Sequence, residues 1–105
     1  MMMFLQSVLM VLVWAGLSLS GQALADQQVS PGQSLAATCA NCHGTNGRAA
    51  LAPDILPLAG RPAGWIQAQM ADFKSDRRPA TIMHQIARGY SERQIEQIAL
   101  WLETR

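Results

Sequence analysis

Cys39-Ala40-Asn41-Cys42-His43 is the stretch around which the rest of the chain is organised. It has the form C-x-x-C-H, the attachment sequence of a c-type haem. On a helix, residues 39, 42 and 43 stand at i, i+3 and i+4, so both thiols and the imidazole share one face. A shared face lets two sulfurs bond to the two vinyl groups of one porphyrin while the imidazole meets the iron. Cys39 and Cys42 are the only cysteines in the chain, so neither is spare for a disulfide or a metal cluster. Other uses of the motif need partners that the sequence lacks. A thioredoxin-like C-x-x-C belongs in a βαβ setting, and no strand pattern flanks this one. A zinc site wants four ligands, and the chain offers two cysteines and two widely separated histidines, His43 and His84.

Upstream, residues 1–25 contain no Asp, Glu, Lys or Arg. They run through Val8-Leu9-Met10-Val11-Leu12-Val13-Trp14 and end in Ala23-Leu24-Ala25. An apolar run followed by a small-x-small site reads as a secretory signal peptide cleaved after Ala25, although no Lys or Arg precedes the run. The competing reading is an uncleaved membrane anchor, since Phe4 to Leu24 is just long enough to span a bilayer. Gly16, Ser18, Ser20, Gly21 and Gln22 dilute its second half and favour cleavage, which leaves no stable membrane span. Export to the periplasm agrees with the motif, because such haems are attached outside the bacterial cytoplasm.

The remaining residues, 26–105, make one small domain. A core of that size supplies roughly 3–5 kcal/mol at most, so a haem bonded at three points is the expected staple. The pattern is all-α. Ser30-Pro31-Gly32 starts a helix, with Ser30 as N-cap and Pro31 at the first helical position. That helix runs through Leu35 towards Cys39 and His43 and is broken by Gly44, Asn46 and Gly47. Arg48 to Arg61 has no sustained period and reads as a loop wrapped over the haem edge. Pro62 opens a second helix, with Trp65, Ile66, Gln69, Met70 and Phe73 at helical spacing. Ser75 to Pro79 is a polar turn, and Ala80 to Arg88 a short helix or turn closed by Gly89. Ser91 and Gln94 form a capping box for a last helix whose apolar stripe is Ile95, Ile98, Ala99 and Leu102, with Trp101 beside it.

Three side chains compete for the iron face opposite His43. Met70 lies in the stripe Ile66-Met70-Phe73, where a methionine is ordinarily core packing. Met83 sits before a glycine-terminated turn with little other reason to be apolar. His84 would make a bis-histidine centre, but a lone histidine after an apolar residue ordinarily faces solvent. Neighbouring helical residues point about 100° apart, so Met83 and His84 exclude one another. Candidate pocket walls are Trp65, Ile66, Met70, Ile82 and Ile86, each of them equally at home in a plain helical core.

The formal net charge is +1, which gives no strong steering field and no case for nucleic acid. Lys74, Arg77 and Arg78 form a local basic cluster. It reads as a solvated turn, with a docking or propionate-binding patch as the sharper alternative.

The order C-x-x-C-H, proline-and-glycine loop, helix, methionine, amphipathic helix resembles the class I cytochromes c, a small all-α fold wrapped around one covalent haem. More closely, Phe73-Lys74-Ser75, Ala80-Thr81-Ile82-Met83 and Ile86-Ala87-Arg88-Gly89-Tyr90-Ser91 resemble the haem subunit of flavocytochrome c sulfide dehydrogenase. The likeness runs from Ser34 to Leu102. It implies Cys39 and Cys42 as the haem thioethers, His43 and Met83 as axial ligands, and a flavoprotein (FAD) subunit or another redox protein as partner. Two departures stand out. The family's F-K-S-G turn ends here in Asp76. The loop proline whose carbonyl holds the ligand histidine has its slot at Leu56, not Pro57.

Two functions fit. One is the electron-accepting subunit of a sulfide-oxidising flavoenzyme, and the other a free soluble electron shuttle. A haem-based sensor would need an open or labile sixth site. In each of the first two the chain passes single electrons and performs no bond chemistry of its own.

Overall fold

The computed structural model describes residues 28–48 and 52–105. The expected signal peptide lies outside the described residues. Five helices and no strand form among the residues described. They are α1 (Pro31–Ala36), α2 (Ala40–His43), α3 (Ala63–Lys74), α4 (Met83–Arg88) and α5 (Glu92–Glu103). None is long and apolar enough to cross a membrane.

Local chemistry explains where the helices begin. Ser30 accepts the Gln33 backbone N–H at 3.1 Å, with Pro31 opening α1. The first helix is not uniform as expected: Ala37–Cys39 tightens into a 3-10 turn between α1 and α2. At α5 the capping box is complete. Ser91 Oγ accepts from Gln94 N at 3.2 Å, and Gln94 Oε1 accepts from Ser91 N at 2.9 Å. No side chain of its own caps α3 behind Pro62. Instead Glu103, at the far end of α5, accepts from Ala63 N at 2.9 Å. A carboxylate there also complements the positive end of the helix.

The core is the meeting of these stripes. Ile95, Ile98, Ala99 and Leu102 line one face of α5, and Ala63, Ile66, Met70 and Phe73 line one face of α3. Ala36 of α1 and Ala87 of α4 complete it. The central element is α5, which packs against α1 and α3, while α4 packs on α3. At the α1–α5 crossing Gly32 is essential to the approach. A Cβ there would lie 2.3 Å from the Gln97 carbonyl oxygen.

The loop after α2 is pinched at its neck. Gly47, in a left-handed conformation at φ 70°, accepts with its carbonyl from Leu58 N at 2.7 Å and Ala59 N at 3.0 Å. Gly60 N then donates to the Leu102 carbonyl at 3.0 Å and ties the loop's exit to α5.

Candidate functional site

The C-x-x-C-H residues sit where the sequence places them, on helical backbone that ends at His43. Gly44 stops the helix with φ 81°. Cys39 is half-buried, Cys42 is exposed, and both are free thiols. Burial pushes the Cys39 thiol above its ordinary value.

The loop's pinched neck delivers the decisive contact. His43 Nδ1 lies 2.6 Å from the Leu56 carbonyl oxygen. A carbonyl can only accept, so Nδ1 carries the proton and donates. In the neutral ring that fixes the tautomer, with Nε2 as the nitrogen able to bind a metal. The partner is Leu56, the slot indicated by counting back from Leu58-Ala59-Gly60.

The candidates for the opposite iron face separate. Met70 is buried in the core between Ile66 and Phe73, with 9% of its surface exposed. Met83 is the first residue of α4, half-buried and packed at the margin of the core. His84 is also half-buried rather than facing solvent, and its Nδ1 is buried without a hydrogen-bond partner among the described residues. Of the candidate pocket walls, Ile66 and Met70 belong to the interhelical core. Ile82 and Ile86, flanking Met83 on α4 and the bend before it, stay 53% and 36% exposed. Leu56, which holds His43, is 39% exposed. Large apolar side chains are thus left open on the loop that holds His43 and on the segment that carries Met83.

This donor set fits a c-type haem. It supplies two unpaired thiols, an imidazole with a free Nε2, a half-buried thioether and uncovered apolar surface beside them. No group of three or more His, Cys, Asp or Glu side chains able to hold a bare metal ion occurs among the described residues.

Each member of the basic cluster has a partner within the chain. Arg77 pairs with Asp72 at 2.9 Å, and Lys74 donates to the Tyr90 carbonyl. Arg78 donates to the Gln69 side chain and lies over the Phe73 ring. Asp76, at the position of the family's glycine, has φ 58° and pairs with Arg88 at 2.6 Å. Sequence reasoning missed one further contact: the Thr38 and Tyr90 hydroxyls are 2.7 Å apart, joining the residue before Cys39 to the segment after α4. No local signal marks it.

The cytochrome c family model matches residues 29–105. The cytochrome subunit of sulfide dehydrogenase of Chlorobaculum tepidum is 35% identical over 71 residues, covering 67% of this chain and 62% of that protein. The thiosulfate dehydrogenase electron acceptor of Stutzerimonas stutzeri is 33% identical over 90 residues, covering 83% of this chain and 42% of that protein. Among solved structures, cytochrome c4 of Acidithiobacillus ferrooxidans superposes with a TM-score of 0.59 at 33% identity, over 64% of this chain and 38% of that one. The chain therefore spans between 38% and 62% of the length of these relatives.

Proposed function

Because this chain belongs to the cytochrome c family and so carries covalent haem c, we propose that it is a periplasmic single-electron carrier with His43 and Met83 as axial ligands, accepting electrons from a sulfide-oxidising flavoprotein. The observation that carries the reading is the His43 Nδ1–H bond to Leu56, which presents Nε2 for coordination. The haem supplies one-electron exchange between ferric and ferrous iron. The chain's own residues decide how that exchange is used. Cys39 and Cys42 give their sulfurs to covalent attachment. Met83 offers a thioether, which favours the ferrous state relative to a second imidazole. With His43 and Met83 holding the iron, no position on it would be left for a substrate. Leu56, Ile82 and Ile86 present apolar surface, which disfavours the extra positive charge of the ferric form.

Two lines support the choice of donor. The block from Phe73 to Ser91 resembles the haem subunit of flavocytochrome c sulfide dehydrogenase, and the Chlorobaculum relative bears that subunit's name. The likeness to a thiosulfate dehydrogenase electron acceptor favours a second reading, a free shuttle serving other sulfur-oxidising enzymes. The visible absorption spectrum of protein purified natively from the periplasm separates them. Haem c bands with a stoichiometric flavin, and haem reduction on adding sulfide, support the flavoprotein complex. Haem c bands with no flavoprotein retained at low salt support the shuttle. A Cys39→Ser/Cys42→Ser variant is expected to show no covalent haem on a denaturing gel, and retained covalent haem would overturn the site.

A further inference from the structure

The segment that brings Met83 into place cannot hold itself. Helix α4 has six residues, too few to be stable alone. No side chain caps its first turn, and residues 79–82 before it are irregular. Its position comes from outside. Ala87 is fully buried in the core and acts as the pivot. Three polar groups at residues 88–90 then tie it down: the Arg88 guanidinium, the Tyr90 carbonyl and the Tyr90 hydroxyl. Arg88 pairs with Asp76, and Lys74 donates to the Tyr90 carbonyl. Both of these run back to the end of α3. The third, from the Tyr90 hydroxyl to Thr38, runs to the segment that bears Cys39, Cys42 and His43. Among the described residues it is the one hydrogen bond between residues 83–90 and residues 31–43.

Its direction can be assigned. Thr38 Oγ1 donates its single proton to the Leu35 carbonyl at 3.2 Å. Tyr90 therefore donates to Thr38 and is held at a fixed distance from the attachment turn. We infer that Tyr90 is a positioning residue for the sixth ligand: with Thr38 it latches the segment carrying Met83 to the segment carrying Cys39, Cys42 and His43. The inference rests on Met83 as ligand. Losing the latch leaves α4 free to swing on Ala87, so the thioether leaves the iron more often.

The test uses the mature ferric haem protein and cyanide, which binds only where the thioether has left. Tyr90→Phe keeps the ring and removes the hydroxyl, while Thr38→Val removes the acceptor at constant shape. Each is expected to raise cyanide affinity about fivefold, the worth of one net hydrogen bond. The double variant should go no further than either single one, and Thr38→Ser should restore the native affinity. Near-infrared absorption of the thioether–ferric haem bond should persist in all of them at low temperature and fade sooner on warming. Unchanged cyanide affinity with only a lowered unfolding midpoint would overturn the latch, as would single effects that simply add. Met83→Ala distinguishes a failure of the underlying reading. It should abolish the near-infrared band, and a band that survives it removes Met83 as ligand and the inference with it.

Discussion

The frame of α1, α3 and α5 and the ligand-bearing side of the molecule are built on different physics. In the frame, apolar stripes close on each other. Ile95, Ile98, Ala99 and Leu102 are each 5% exposed or less, and helix ends are satisfied by Ser30, Ser91 and Glu103. On the ligand side, Leu56, Ile82 and Ile86 stay exposed and order comes from polar ties: His43 to Leu56, Tyr90 to Thr38, Arg88 to Asp76. A small chain buries too little surface to complete two cores. This one completes the first by itself and leaves the second as an apolar surface with a donor set beside it. The difference separates apolar surface that the polypeptide closes on itself from apolar surface that it leaves open beside the donor set.

On this division the largest effect of a single methyl group falls in the frame. Gly32→Ala places a Cβ 2.3 Å from the Gln97 carbonyl and 3.0 Å from Trp101 Cβ. Both obstacles sit on or next to a helical backbone that cannot rotate aside, so α1 and α5 must separate. A cost of about 3 kcal/mol is expected, the upper range for overpacking a close-packed contact, read as a lowered urea midpoint of the haem protein. A loss below about 1 kcal/mol would show the crossing to be compliant and the frame less rigid than its burial suggests.

How much could be read beforehand follows the same division. The caps at Ser30 and Ser91, the α5 stripe and the C-x-x-C-H face were legible because each depends on residues within one or two turns. Leu56 as partner of His43 was legible as a slot in the loop, since a backbone carbonyl serves whatever the side chain. The contacts that escaped are long-range and polar. Glu103 caps a helix 40 residues earlier, and Tyr90 meets a threonine 52 residues earlier. Hydroxyls and carboxylates on a helical surface carry no periodic signal, and the fold alone decides which of them meet. His84 shows the same limit: adjacency to Met83 suggested solvent, whereas the packing of α4 half-buries it.

On the ligand side the expected effects are smaller and depend on what replaces the side chain. Asp76 holds a left-handed backbone at φ 58°, a conformation that suits glycine, and its carboxylate meets Arg88. Aspartate tolerates this conformation better than alanine does. Asp76→Ala removes the pair and keeps the strain, for an expected loss of about 1.5 kcal/mol. Asp76→Gly removes the pair and relieves the strain, so its stability should stay within about 0.5 kcal/mol of the parent. The pair is well exposed, so raising salt should shrink both deficits by the worth of the pair and leave the strain part of the Asp76→Ala loss. Equal losses for the two variants would mean that the ion pair, and not the backbone, holds this turn.

The smallest effect makes the sharpest comparison, because it repeats the first substitution at the same place in another helix. Gly64 is the second residue of α3 just as Gly32 is the second residue of α1. A Cβ at Gly64 meets nothing within 4 Å. There the change acts only on backbone freedom, since alanine restricts the unfolded chain and favours helix, although a first-turn position collects less than an interior one. Gly64→Ala is expected to raise stability by about 0.5 kcal/mol, measured by urea denaturation beside Gly32→Ala. Opposite signs from one chemical change at equivalent helical positions would locate the frame's tightness in the α1–α5 crossing itself. A loss at Gly64 would instead show that the open face of α3 is covered in the haem-bearing protein, and that the boundary between frame and ligand side runs through α3.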